Sequence, residues 1–343
     1  MSVKIVKNLS AWFGKTARDL PWRADPHPYR VWLSEIMLQQ TRVTAMLPYF
    51  ERFLLAFPEV EDLANAPEER VLKLWAGLGY YSRARNLHRG AKAICERLKA
   101  GDGFPETASE WREIPGVGPY TAGAVSSIVY RKREPIVDGN IVRVLSRVHA
   151  IRKLDSGNRL IWDLSRRLVE ERSADPRILN QALMELGALV CLPRNPKCGV
   201  CPIRGSCKGK SEPHAFPEKK PKKEWKHLSE RKWIPLRRKK SVAEVWLIRN
   251  EGTGWREGLW DFPSPGARGV AGAVMRSEFR IQYVVTRHKV ERHHFLFFVG
   301  SRTKLEDQNG RWFSILDLPA VPAPVRKAIA MVEKDLKTDQ GQR

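Results

Sequence analysis

Apolar and polar positions along this chain change their grammar once. From Ser2 to about Cys207 they follow a helical rhythm throughout. Val31 to Leu55 is dense in apolar residues and lacks Gly, which predicts one or two buried helices. Asn65-Ala66-Pro67-Glu68-Glu69 reads as a helix start, with Pro in the first turn and acids near the positive end of the peptide dipoles. Thr107-Ala108-Ser109-Glu110 fits a capping box ahead of Trp111, in which hydroxyl and carboxylate satisfy otherwise unpaired N–H groups. Leu179 to Val190 predicts a further helix that runs into Cys191.

Residues 208–240 read differently. They hold thirteen Lys/Arg against four Glu, with Pro213, Pro217, Pro221 and Pro235. That composition predicts an extended basic linker, either solvated or lying along a polyanion. Beyond it, Val242 to Ile248, Tyr283 to Thr286 and His294 to Val299 are short runs of β-branched and aromatic residues, separated by Gly/Pro clusters at 252–258 and 263–269. The fold class expected is therefore a mainly α region over 1–207, a linker over 208–240 and an α+β domain over 241–343. A length of 343 residues suits two domains. No internal repeat is present.

Composition narrows the partners. The 61 Lys+Arg against 38 Asp+Glu leave a net charge of +23, which a nucleic-acid partner explains through phosphate neutralisation. No apolar run reaches the roughly 18 residues that span a bilayer, and Met1 to Ser10 carries no signal-type apolar core. A cytosolic monomer with no membrane contact is expected, nucleoid-associated if the source is bacterial.

Four of the five cysteines cluster. Cys191, Cys198, Cys201 and Cys207 are spaced C-x6-C-x2-C-x5-C, which argues for a metal centre rather than disulfides. A structural zinc site usually pairs two C-x2-C knuckles, and this loop has one, so the spacing favours an iron–sulfur cluster while leaving zinc open. Arg194, Lys197, Arg204, Lys208 and Lys210 stud the loop and suit a phosphate backbone. Cys95 stands apart and reads as a small core hydrophobe.

Ile114-Pro-Gly-Val-Gly-Pro-Tyr-Thr-Ala122 joins two helical stretches, and Gly116 and Gly118 bring bare N–H groups to the next helix start, an anion site. Val137-Asp138-Gly139-Asn140 follows, where Asp138 either caps the next helix or serves a site. The hairpin, the aspartate and the cysteine spacing together resemble the endonuclease III superfamily of DNA glycosylases. That resemblance implies a 4Fe-4S cluster. Leu33-Ser-Glu-Ile-Met-Leu-Gln-Gln-Thr41, Gly77-Leu-Gly-Tyr-Tyr-Ser-Arg83 and Trp260-Asp-Phe-Pro263 are similar to the adenine DNA glycosylase (MutY) family within it. The likeness is strong to about Cys207 and architectural after Ser241.

The residues also argue chemistry directly. Glu35 sits among Leu33, Ile36, Met37 and Leu38, so desolvation should raise its pKa and keep the proton that a departing purine needs. Asp138 should stay ionised and stabilise the oxocarbenium ion, the division of labour of glycoside hydrolysis. Bifunctional members of the superfamily carry a lysine where this chain has Tyr120, and a phenol is a poor Schiff-base former, so lyase activity is not expected.

By resemblance, Gln40 and Tyr80 are wedges inserted into the duplex, with Tyr81 an alternative to Tyr80. Tyr120 and Asn140 line the pocket near the sugar, and Arg23 is a candidate for the adenine pocket. The C-terminal domain is similar to the Nudix-like domain with which the family reads the base opposite adenine. Gly266 to Ile281 holds only Glu278 as a candidate Mg²⁺ ligand, so pyrophosphate hydrolysis is not expected. Where the family carries Phe-Ser-His, this chain has Thr286-Arg287-His288, which keeps the His and replaces the hydroxyl donor by a cation. The resemblance implies hydrolysis of adenine from duplex DNA opposite 8-oxoguanine or guanine. A mismatch thymine glycosylase and a non-catalytic DNA-binding iron–sulfur protein are the alternatives.

Overall fold

The computed structural model describes residues 2–218, 224–239, 242–252, 254–265, 274–301, 303, 305 and 309–340. The chain divides into two compact units, one of residues 1–65 with 86–220 and the other of 66–85 with 221–343.

In the first unit, α1 (Ser2–Thr16), α2 (Pro21–Ala24), α3 (Pro28–Leu38), α4 (Val43–Ala56) and α5 (Val60–Asn65) come first. The apolar run from Val31 thus forms two helices. Gln39-Gln40-Thr41-Arg42 interrupts it, with Gln40 in a left-handed conformation at φ 57°. α6 (Glu68–Trp75) belongs to the second unit, and the division falls within α7 (Ser82–Ala100). The first unit resumes with α8 (Ala108–Glu113), α9 (Pro119–Tyr130), α10 (Gly139–His149), α11 (Arg159–Val169) and α12 (Pro176–Leu189). Thr107 and Glu110 form the expected capping box on α8. Packing of α3 on α9 and of α10 on α12 brings their facing side chains to one cleft. Among the described residues, no helix is long and apolar enough to cross a membrane.

The second unit is built on a mixed sheet of β1 (Lys226–Lys239), β2 (Val242–Arg249), β3 (Trp260–Asp261), β4 (Val274–Val285), β5 (His288–Phe298) and β6 (Gly310–Ser314), in the order β3-β2-β1-β5-β4, with β6 also on β2. β1 and β5 run parallel, and the other pairs are antiparallel. One face buries Ile234, Leu236 and Leu296 against Val325, Ile329 and Val332 of α13 (Ala323–Gln340). At its far end that face turns ionic. Fully buried Arg292 bonds both oxygens of Asp261 (2.8 and 3.0 Å) and Glu230 Oε2 (2.8 Å), and Arg256 adds a second cation on Glu230.

The linker expected over 208–240 is corrected by these strands. Lys208 and Gly209 donate backbone N–H groups to Val148 and Arg147, Phe216 is buried, and Glu218 N bonds Arg152 O, so 208–218 packs on the first unit. Residues 219–223, 240 and 241 lie outside the described residues, as do 266–273 of the run read for Mg²⁺ ligands. Lys226–Lys239 is a central strand. Its apolar face is short: Ile234 and Leu236 share that face with Glu230 and buried Lys232, so no clean period of two stands out from the basic count. Pro235 is tolerated there for a geometric reason. Trp233 N–H points away from β5 to Pro263 O (2.9 Å), and Pro235 two residues on faces the same side, where pairing with β2 begins only at Leu236.

Candidate active site

Two helices and a hairpin converge on Glu35. α3 buries it between Ser34 and Ile36 at 4% exposure. Burial pushes its carboxyl up to about 7; the Tyr120 hydrogen bond and Arg23 pull it down, while the nearby Asp138 raises it. It is therefore an acid that still holds a large fraction of its proton near neutrality, as the apolar surroundings of the sequence required.

The hairpin between α8 and α9 supplies the next group. Gly116 stands at φ 82°, where a Cβ would meet Asn86 Cβ at 2.5 Å, so both the turn and the close approach demand glycine. Gly118 is the N-cap of α9, and it lines the cleft with Pro119, Tyr120 and Thr121 of the first turn, where backbone N–H groups have no intrahelical partner. Tyr120, in that turn, donates its hydroxyl to Glu35 Oε2 at 2.8 Å. Desolvation and the two carboxylates hold the phenol well above its usual pKa, so it remains a neutral donor.

Asp138 caps the next helix and also lines the cleft. As N-cap of α10 its Oδ1 accepts from Ile141 N (2.7 Å), and its Oδ2 accepts from Asn140 Nδ2 (2.8 Å). Burial raises its pKa, and these donors together with Arg143 draw it back. Both oxygens act as acceptors, the bonding pattern of an ionised carboxylate.

Glu35, Tyr120, Asp138, Asn140, Gln40, Arg23, Gly116 and Gly118 all line one open cleft of about 2350 Å³ counted to its mouth. Arg23 is there but engaged: its Nη2 bonds Glu185 Oε2 at 3.0 Å, and Arg18 Nη2 bonds the same oxygen at 2.6 Å. The two guanidinium groups hold Glu185 at a pKa near 2 against the cost of its burial. Glu185, Arg18 and Met184 are cleft residues that the sequence reading missed. The available signal was a lone acid in the otherwise apolar run Ala182-Leu-Met-Glu-Leu186 of α12.

Tyr80, Arg287 and His288 belong to the second unit. Tyr80 is 45% exposed at φ 49°, whereas Tyr81 is buried and bonds Val321 O, so of the two only Tyr80 lies at the surface. Arg287 is exposed. His288 tilts against Trp255 with ring centroids 5.7 Å apart, and its Nδ1 lies 3.4 Å from Thr286 Oγ1.

Cys191, Cys198, Cys201 and Cys207 line a second cavity, of about 420 Å³. Four thiols gathered around one cavity are the donor set of a metal centre, iron–sulfur cluster or zinc. Burial and the other three cysteines push the Cys201 thiol up to about 11, a penalty that a cationic iron core would remove. Buried Arg147 lies 3.3 Å from Cys191 Sγ and would offset thiolate charge. Arg194, Lys197, Arg204, Lys208 and Lys210 are all exposed around the loop.

Known proteins match these parts. Residues 33–167 match the HhH-GPD superfamily of base excision DNA repair proteins, and residues 191–207 match the iron-sulfur binding domain of endonuclease III. An adenine DNA glycosylase of Buchnera aphidicola subsp. Baizongia pistaciae is 31% identical over 339 residues, covering 94% of each chain. This chain belongs to the adenine DNA glycosylase family. The rat enzyme of the same name is 44% identical over 214 residues, 59% of this chain and 41% of its own. The chain thus spans about two-fifths of the length of that mammalian relative. A thermostable thymine-DNA glycosylase superposes with a TM-score of 0.56 at 27% identity, over 62% of this chain and 97% of its own. An endonuclease III–DNA complex shares the fold at a TM-score of 0.51 and 20% identity, over 61% of this chain and 94% of its own. The family membership makes 191–207 an iron–sulfur binding loop, which removes the zinc alternative.

Proposed function

We propose that this chain is a monofunctional DNA glycosylase that hydrolyses the N-glycosidic bond of adenine opposite 8-oxoguanine or guanine in duplex DNA and leaves an abasic site. The observation that carries this reading is the pairing of a buried Glu35, whose carboxyl is pushed up to about 7, with a donor-bound Asp138 in one cleft. Adenine leaves as a poor anion unless a ring nitrogen is protonated, and Glu35 supplies that proton. The Asp138 carboxylate stabilises the oxocarbenium ion, or captures it until water attacks the sugar carbon. Asn140 fixes the Asp138 oxygens, and neutral Tyr120 supports Glu35 as it becomes a carboxylate. No amine occupies the Tyr120 position, so no Schiff base forms and the strand stays intact.

DNA is held by the hairpin N–H groups and by the cations of the iron–sulfur loop, where Cys191, Cys198, Cys201 and Cys207 would hold a 4Fe-4S cluster whose part is to shape that loop. Exposed Gln40 and Tyr80, both with left-handed backbones, fill the gap left by the flipped nucleotide. Arg287 and His288 of a Nudix-like domain read the opposite base, with Arg287 offering a bidentate contact to a guanine edge. The protein works as a monomer in the cytosol, associated with the nucleoid if its source is bacterial. The test is Glu35→Gln, which keeps affinity for the duplex and loses excision; a fully active variant would remove Glu35 as the acid and the assignment with it.

A further inference from the structure

Two acceptors compete for one hydrogen at Tyr120. Its Oη lies 2.8 Å from Glu35 Oε2 and 3.1 Å from Met184 Sδ. A phenol carries a single O–H, so only one of them accepts at a time. When Glu35 is a carboxylate, its oxygen is the stronger acceptor and takes that hydrogen. When Glu35 holds its proton, the acid can donate across the same 2.8 Å contact into Tyr120 Oη. The phenol hydrogen then turns to a second acceptor, or it is left without a partner in the protein. Among the described residues, Met184 Sδ is the other acceptor within reach of Tyr120 Oη.

We infer that Met184 is a positioning residue for the proton transfer: its thioether holds the Tyr120 hydrogen while Glu35 is protonated and releases it to Glu35 Oε2 as the acid gives up its proton. The inference rests on Glu35 acting as the general acid. The proton leaves Glu35 for a purine nitrogen, and the electron pair of the breaking C–N bond goes to the purine. The phenol hydrogen stays covalently on its own oxygen and only rotates. A thioether is a weak acceptor, so the bond given up costs little, while the bond gained to the new carboxylate is charge-assisted. The exchange therefore favours the state in which the proton has moved, which is where a catalyst needs stabilisation. An oxygen acceptor in place of the sulfur would grip the hydrogen and oppose the rotation.

The other charged groups around Glu35 do not offer this exchange. Asp138 at the start of α10 disfavours its ionisation, and Arg23 of α2 favours it. Arg23 is itself tied with Arg18 to Glu185 of α12, the residue after Met184.

The experiment is the pH dependence of single-turnover adenine release from a duplex with adenine opposite 8-oxoguanine. It uses the full chain with its cluster as wild type, Met184→Leu, Tyr120→Phe and the double variant. Leucine keeps size and apolarity but has no lone pair. The alkaline limb of Met184→Leu moves to lower pH by about half a unit, because protonated Glu35 loses its favoured arrangement. In the Tyr120→Phe background the same substitution leaves the limb unmoved. A limb that stays put in Met184→Leu overturns the inference, as does an equal shift in both backgrounds, which is a packing effect. Met184→Gln, with an amide oxygen as acceptor, brings the limb back to the wild-type position or above; a limb as low as that of Met184→Leu counts against the sulfur's role. A wild type with no alkaline limb at all is a failure of the Glu35 assignment itself, visible before any Met184 variant is made.

Discussion

Arg143 and Cys191 are joined by a 2.6 Å hydrogen bond from the guanidinium Nε to the backbone carbonyl of the first loop cysteine. The same guanidinium donates through Nη2 to Asn140 Oδ1 (2.8 Å) and to Gly187 O (2.6 Å). Asn140 in turn bonds Asp138 Oδ2. The cysteine loop and the candidate oxocarbenium stabiliser thus share one side chain. Arg143→Met keeps the four thiols but frees Asn140, and charged hydrogen bonds of this kind are each worth about 1.5–3 kcal/mol. Excision should fall by about tenfold or more at unchanged iron content, measured by single-turnover kinetics beside an iron assay. Wild-type rates in this variant would show that Asp138 is held without that link.

Glu35 also leaves a signature in stability. Its folded pKa of about 7 lies above the ordinary carboxylate value. The folded state therefore keeps a proton that the unfolded chain loses, and stability falls as pH rises from about 4.5 to about 7, then levels off. Glutamine cannot ionise. Glu35→Gln should stabilise the protein at pH 8 by roughly 3 kcal/mol, with the gain shrinking as pH drops toward 4.5. Denaturant melts at three pH values check this. A destabilised variant at pH 8 would mean that Glu35 is not desolvated in the native state.

The ionic end of the second unit's sheet should be fragile to removal of one partner. Arg292→Met leaves Asp261 and Glu230, both beside the former guanidinium, with Arg256 and the nearby Lys232 to compensate. Stranding a buried carboxylate typically costs about 3–5 kcal/mol. The second unit should unfold at markedly lower denaturant concentration in Arg292→Met. A change below about 1 kcal/mol would show that water reaches Asp261 once the arginine is gone.

Legibility from sequence followed how local the cause was. The capping box at Thr107 and the Asp138 cap, one of two readings open there, are set by neighbours within a few residues, whereas the run from Val31 to Leu55 announced one or two helices without placing the break at Gln39–Arg42. The desolvation of Glu35 was legible because its apolar neighbours are adjacent on the same helix. β1 was hidden because its outward charges outnumber its inward Ile234 and Leu236, and because Pro235 argues against a central strand until the pairing partner is known. Glu185 stood out only as a lone acid in an apolar run, and its partners were hidden, since its cations lie 162 and 167 residues away in the chain. The same distance effect hid the membership of residues 66–85 in the second unit, where Tyr81 bonds Val321 O and Lys73 pairs with Asp317.

The most direct test of the central claim is a glycosylase assay on three duplexes, holding adenine opposite 8-oxoguanine, adenine opposite guanine, and thymine opposite guanine, each analysed with and without hot alkali. The proposed function requires adenine loss from the first two, revealed as strand breakage only after alkali, and an untouched thymine. Thymine release would contradict the adenine assignment of the cleft. Breakage without alkali would contradict the reading of Tyr120 as a residue that forms no Schiff base.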